Sequence, residues 1–338
     1  MSNIYKVAEA AGVSPKTAAR ILAGQSLRSK KRESVLEAAR RLGYVRNQQA
    51  ANLRSGTTSV IGIIVPDMTN PFYAKVIQVM HDTCQRFGFS ILLGASFGSH
   101  EEEARALENL LRYRVDGIFL NASERPVGAV SSSLCRQFIS QGKPVVVSGE
   151  LGEALEGCAR VEVDNTSAMD VAVRHLRSRG HTRLGFLGGP QQSMGMRERY
   201  LGFRDAMARE SLAFSEDSVV YMTGGSQDRV AEICRLWKSL SEKDRPSAFI
   251  AGNDMIAISA LKAFEQMSVR VPEEVSIIGF DGIDLGALVS PALTTVKQPI
   301  ERMAEDISQW MVGRIRGETT IPFASAPYEL DLVVRDSA

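Results

Sequence analysis

Lys16 and Arg20 stand four residues apart in the stretch SPKTAARIL, a spacing that puts both cations on one face of a helix. Donors so placed can bond guanine O6 and N7 in a DNA major groove, and Pro15 beside them offers only apolar contact, for instance to a thymine methyl. Ser14 and Thr17 complete that polar surface. A second pattern belongs to other chemistry. Gly94-Ala95-Ser96-Phe97-Gly98 reads GxSxG, the signature of a hydrolase nucleophile elbow, and Asp164 and His181 follow in hydrolase order. Ser96 nevertheless ends only the second strand of its region, and a basic head has no use in a hydrolase, so no catalytic residue and no enzyme activity is expected. Gly188-Gly189-Pro190 lacks dinucleotide-loop spacing, and no GxxxxGK[ST] loop occurs. Cys84, Cys135, Cys158 and Cys234 contain no CxxC pair and the four histidines no HExxH. Neither a disulfide framework, a metal site nor a cofactor is expected.

The elements that must hold Lys16 and Arg20 are helices. Ile4, Val7, Ala8 and Ala11 repeat at helical spacing. Gly12 stands where a helix ends, Ser14 can cap the next one, and Pro15 suits its first position. Ala18, Ile21 and Leu22 face inward on that second helix, and small Ala8 lets the two cross closely. A third helix is predicted over Lys31–Leu42, with Val35, Ala39 and Leu42 on one face and Gly43 as its stop. Charge agrees with a nucleic-acid partner. Residues 1–58 carry 11 Lys and Arg against 3 Glu, whereas the other 280 carry 29 basic and 36 acidic side chains. Asn47–Leu53 is long enough for only one short helix, which needs a partner to order it. Leu53 would be fully exposed there, and insertion between base steps of a minor groove would give it a role.

From Thr58 onward, short β-branched runs alternate with helical stretches. Strand candidates include Val60–Val65, Ser90–Leu93, Gly117–Leu120, Pro144–Val147, Arg183–Leu187, Ala248–Ala251 and Val275–Gly279. Helical stretches include Pro71–Phe87, Glu101–Tyr113, Thr166–Arg179, Arg197–Arg209 and Met255–Met267. That rhythm predicts parallel sheets covered by helices, with ligands beyond the carboxyl ends of the strands. Phe72 and Tyr73 follow the first strand and can stack on a sugar ring or a base. Arg199 is read as starting the helix after GGPQQSMGM, where its planar fork can grip hydroxyls or an acid. Asn253 and Asp281 each follow a strand and can accept hydroxyl protons.

VAEAAGVSPKTAARIL, RLGYVRNQQAANLRSG and IGIIVPDMTNPFY, in that order and spacing, resemble the LacI/GalR family. The match continues through DNTSAMDVAVRHLRSRGH, GNDMIAISALKA, VRVPEEVSIIGFD and SPALTTVKQP, and so covers essentially the whole chain. The resemblance implies an α/β protein: an all-α helix-turn-helix headpiece and a periplasmic-binding-protein-like body of two doubly wound parallel-sheet subdomains. Expected bounds are headpiece 1–46, hinge helix and linker 47–57, and body 58–338. The body's N-subdomain comprises 58–161 and 297–322, and its C-subdomain 162–296 and 323–338. Chain crossings are expected near 161–164, 291–296 and 321–328, with an effector in the cleft between subdomains. The resemblance adds Tyr5, Asn47 and Ala50 to the DNA-contacting residues Ser14, Pro15, Lys16, Thr17, Arg20 and Leu53. It adds Ser123 to the effector set of Phe72, Tyr73, Arg199, Asn253 and Asp281.

Some positions depart from the family pattern. Gly149 stands where an Asp often follows the VVVS strand, and Ala95 where a polar residue follows ILLG. Ser193 and Gly195 replace the bulkier polar groups of purine-sensing members. Ala18-Ala19 replaces the usual Val-Ser, and Arg46 a frequent Pro. The implied partners are a pseudo-palindromic operator, a second copy of the chain and a small-molecule effector. A sugar or sugar derivative is the leading effector class and a purine or nucleoside the runner-up. No heptad tail follows Ala338, so a dimer is expected over a tetramer. MSNIYKVAEAAG has no apolar core, so no secretory leader is expected. That absence, with the basic head, disfavours a stand-alone solute-binding protein. No run is long enough for a membrane span, and the cytoplasm is the expected compartment.

Overall fold

The computed structural model describes residues 3–22, 30–44, 57–122, 127–149, 157–191, 193–323 and 326–338. The chain forms two compact units, residues 1–58 and 59–338.

The described residues of the first include three helices: α1 (Ile4–Ala10), α2 (Pro15–Leu22) and α3 (Lys30–Arg41). Asn3 caps α1 by accepting the Lys6 N–H. Gly12, at φ +63°, lets the chain turn sharply into α2, where Ser14 Oγ accepts the Thr17 N–H at 3.2 Å. Val7, Ala8, Ala18, Ile21, Val35, Ala38 and Ala39 form the core. Four of the seven are alanines, which permits close crossings and leaves little apolar area to stabilise the unit.

The second unit contains two sheets. Strands β1 (Val60–Val65), β2 (Ser90–Ala95), β3 (Gly117–Asn121), β4 (Val145–Ser148) and β5 (Ala159–Val161) form the first, in the order β2-β1-β3-β4-β5 and all parallel. Both faces are covered, which is why the strands read as apolar runs rather than alternating ones. On one face Ile61, Ile63, Val65, Phe119 and Val146 meet α4 (Pro71–Arg86) and α11 (Ile300–Arg316). On the other, Ile64, Ile118, Leu120, Val145 and Val147 meet α5 (His100–Arg112) and α6 (Ala129–Ser140).

The second sheet comprises β6 (Leu184–Gly188), β7 (Val219–Tyr221), β8 (Ala248–Ala251), β9 (Ser276–Asp281), β10 (Thr294–Lys297) and β11 (Asp331–Val333). Its order is β11-β10-β9-β8-β6-β7, parallel except for β11. Helices α7 (Asn165–Ser178), α8 (Met194–Arg209), α9 (Ser226–Ser239) and α10 (Asp254–Gln266) complete this lobe. Within the second unit the chain therefore passes between the lobes three times: after β5, after β10 and after α11.

Two details correct the sequence reading. Helix α8 begins at Met194, so Arg199 lies in its second turn rather than at its start. The second crossing was expected near 291–296, but Thr294–Lys297 pairs with β9 as a strand, and the crossing runs through Gln298 and Pro299.

Candidate functional site

Two surfaces carry candidate chemistry. On the first unit, Ser14, Pro15, Lys16 and Arg20 are exposed along α2 and its entry, and Tyr5 is exposed on α1. Thr17 Oγ1 lies 2.9 Å from Ser14 Oγ, so both hydroxyls are engaged at the helix start. The exposed groups of this helix suited to a base edge are Pro15, Lys16 and Arg20. Asn47, Ala50 and Leu53, expected to contact DNA, and Ser123, expected at the effector, lie outside the described residues.

The other surface is a cleft of about 1010 Å³ within the second unit, lined by strand ends of both lobes. Phe72, Tyr73, Arg199, Asn253 and Asp281 all line it. Arg199 is, with Arg229, one of two arginines among the described residues that line it. Its guanidinium lies 3.6 Å from the centroid of Phe280, its Nε donates to Asn165 Oδ1 at 3.0 Å, and its Nη1 donates to the Gly252 carbonyl at 2.6 Å. Asp281 Oδ1 stands 3.6 Å from the same Nη1. These contacts use Nε and Nη1, and Gly195 on the preceding turn has no side chain to cover Nη2. A Cβ there would stand 3.7 Å from Nη2. Burial lowers the arginine's pKa, while Asp281 opposes that shift.

Asp281 closes β9 at φ +119°, a conformation L side chains rarely adopt and a mark of local strain. It accepts the Gln298 side-chain N–H at 2.7 Å. Burial pushes its carboxyl up to about 7, against the pull of Arg199. Behind it, buried Asp254 accepts the Thr295 hydroxyl at 2.6 Å and the Ile283 N–H at 2.8 Å, and burial raises its pKa to about 6.

Three sequence expectations change in form. Asn253 Oδ1 caps α10 by accepting the Ile256 N–H at 2.9 Å, so Asn253 can offer a ligand its amide N–H as well as the remaining lone pair of its oxygen. Asn70 caps α4 at the Phe72 N–H, and that register turns Phe72 into the core, edge-on to Tyr73 at 5.1 Å. Half-buried Tyr73 supplies a phenol that burial keeps protonated, hence a donor. Sequence reasoning missed Asn165, which also donates to Glu198 at 2.7 Å, and Gln298. Both fall within motifs that carry the family resemblance, DNTSAMDVAVRHLRSRGH and SPALTTVKQP, but nothing local in either motif points to the distant partner.

The GxSxG pattern carries no nucleophile. Ser96 is fully buried, with its Oγ 3.4 Å from the Val65 carbonyl. Asp164 caps α7 at the Ser167 N–H, and His181 Nδ1 bonds Ser247 Oγ at 2.9 Å. The burial of Ser96 alone denies a substrate access. Among the described residues no group of three His, Cys, Asp or Glu side chains is placed to hold a metal, and no helix is long and apolar enough to cross a membrane.

Two family models match the chain: bacterial regulatory proteins, lacI family, over residues 3–47, and a periplasmic binding protein-like domain over residues 173–338. The chain is 30% identical over 325 residues to the ribose operon repressor of Escherichia coli (strain K12), covering 94% of each. It is 28% identical over 317 residues to the HTH-type transcriptional repressor PurR of Photobacterium profundum, covering 94% of this chain and 92% of that one. Among solved structures, the lac repressor dimer bound to operator and the anti-inducer ONPF shares the fold at a TM-score of 0.83 and 21% identity, over 99% of this chain and 98% of that one. The complex of the transcriptional regulator CelR with cellobiose matches at a TM-score of 0.71 and 28% identity, over all of both chains.

Proposed function

The chain belongs to the lacI family of bacterial regulatory proteins, and on that premise we propose how its residues make DNA binding answer to a small molecule. It is a sequence-specific DNA-binding transcription regulator. In our reading it is a cytoplasmic homodimer whose two headpieces, residues 1–46, read the half-sites of a pseudo-palindromic operator. Helix α2 enters the major groove with Lys16 and Arg20 toward base edges. The hinge, residues 47–57, lies in the minor groove with Leu53 between the central base pairs. Residues 58–338 form the sensor. Its first lobe comprises 58–161 and 300–322, and its second 162–297 and 323–338, with Gln298 and Pro299 in the second crossing.

The effector is a sugar or sugar derivative held between the lobes. Support comes from the kind of groups gathered in the cleft: guanidinium Nη2, a carboxylate, an amide N–H and a phenol, each suited to hydroxyls. One observation carries the mechanism. Arg199 is bonded to Asn165, just past the first crossing, and Asp281 to Gln298, within the second. A ligand that competes for either residue therefore disturbs bonds to the segments joining the lobes. The lobe arrangement that gives the ligand better contacts gains population, and DNA affinity follows it.

PurR among the relatives keeps a purine as the second reading. Thermal-shift screening of the purified protein with sugars, sugar acids, nucleobases and nucleosides distinguishes the two. A bound effector raises the melting temperature. We expect a sugar to do so, and a shift with purines alone would reverse the assignment.

A further inference from the structure

Phe97 plays no part in the cluster around Arg199. Phe97 is 70% exposed, yet it lines the cleft from the loop after β2. Its backbone is left-handed at φ +50°, and Gly98 follows at φ +71°. A phenylalanine there is sterically disfavoured, and such strain persists only where surrounding structure enforces it. Here the enforcement is visible. Ser96 is buried and its N–H donates to the Val65 carbonyl, the Ser99 N–H donates back to the Ser96 carbonyl, and Ser99 Oγ caps α5. Pinned on both sides, the turn presents its aromatic ring to solvent rather than to the core.

The cleft is longer than a single sugar ring requires. It reaches from the loop after β2, at one edge of the first sheet, to Val161 on β5 at the other. At a strand spacing of about 4.8 Å, those five strand ends span roughly 19 Å. Asp281 ends β9 of the other sheet and lines the same groove as Phe97, yet none of the bonds of the Arg199–Asp281 cluster is made to Phe97. Its volume, about 1010 Å³, stands at the upper end for pockets that enclose small molecules. Charge narrows the ligand further. The described lining residues include five acidic side chains, of which Glu162 is paired with Arg160, and two arginines, Arg199 and Arg229, with no Lys or His. A phosphate or carboxylate on the ligand meets net repulsion there.

We propose that the cleft takes an uncharged saccharide of at least two rings, with one ring on the Arg199–Asp281 cluster and the next laid against the exposed face of Phe97. The C–H face of a pyranose is apolar, and covering a phenyl ring with it removes both surfaces from water. Phe97 is thus a specificity residue that reads length. This rests on the sugar reading above and adds to it a size, a charge and a second subsite.

Calorimetric titration of the full-length protein tests it, with glucose and xylose against cellobiose, maltose, sucrose and lactose, plus glucose 6-phosphate and hypoxanthine. We expect at least one disaccharide to bind about tenfold or more tighter than either single ring, and glucose 6-phosphate to bind no tighter than glucose. Phe97→Ala should lower the disaccharide-to-monosaccharide affinity ratio at least fivefold, and Phe97→Trp should retain it. An unchanged ratio in Phe97→Ala overturns the subsite while wild-type sugar binding preserves the broader reading. If that variant instead sediments as a monomer with its ratio intact, Phe97 is a contact between copies and the proposal is wrong. Tight binding of hypoxanthine and of no saccharide removes the sugar reading, and the subsite with it.

Discussion

Arg20 and Arg199 carry the same charge and do opposite work. Arg20 is exposed on a short helix of a unit rich in positive charge, whereas Arg199 is largely enclosed, packed against Phe280 among bonds to Asn165 and Gly252 and beside Asp281. The first kind of cation acts at a distance and is weakened by salt. The second is set in one geometry, screened little and sensitive to the protonation of its neighbours. In the reading proposed here, one chain uses exposure where it must find a polyanion and burial where it must recognise a small neutral shape. The two units should therefore fail in different ways when perturbed.

The largest separation is expected from Arg199→Ala. It removes the cation beside a buried carboxylate, a loss that costs roughly 3–5 kcal/mol when a buried pair is broken. Effector binding should fall more than about 100-fold, to be read by calorimetry, while operator binding without effector persists. Arg199→Lys should not restore it, because a point charge cannot bond Asn165 and Gly252 together.

Acidity separates the units next. Asp281 and Asp254 have folded pKa values of about 7 and about 6, above their unfolded values because burial disfavours the charged form. Groups raised in this way contribute stability that is complete below about pH 4 and lost as pH rises through 6 to 7. Between pH 5 and pH 8 the second unit should lose on the order of 2–4 kcal/mol from this source. Asp281→Asn should remove its share of that slope in denaturant melts. The first unit has no matching pair of buried carboxylates among its described residues, and its melting should not follow this slope.

Smaller effects belong to the head. Lys16→Ala and Arg20→Ala should each cost about 1–3 kcal/mol and relax preference at one base position, read by binding to a panel of operator variants. Uniform weakening across the panel, with a shallower salt dependence, would make them phosphate contacts. Ser14→Ala, which removes the hydroxyl capping α2, should cost about 1 kcal/mol of head stability in a thermal melt.

The same contrast explains what the sequence disclosed. In the head, every determinant is local: Gly12 turns the chain, Ser14 caps, Pro15 starts the helix, and Lys16 and Arg20 share a face within one short stretch. The three helices and their outward residues were legible from spacing alone. In the body, β1 and β9 were legible because burial on both faces makes them long apolar runs. Three-residue strands β5, β7 and β11 are too short to show any period, and Ser-rich α6 reads poorly as a helix. The cleft was half legible. Arg199 and Asp281 stood out by type and position, but Gln298 acts through a partner 17 residues away and Asn165 through one 34 residues away. No local pattern encodes those pairings. Local patterns also left two things unsaid: GxSxG describes a turn without saying that its serine is buried, and the sequence does not show that Asn253 Oδ1 also caps a helix.

The central claim is that one molecule's preference for an operator depends on what fills its cleft. Fluorescence anisotropy of the full-length protein decides it, using a duplex selected from random sequence at moderate salt, with and without the saccharide that raises its melting temperature. Operator affinity should shift by about tenfold or more in the wild type and not at all in Arg199→Ala. Equal affinity for selected and random duplex, or an operator affinity indifferent to a saccharide that demonstrably binds, would contradict the claim.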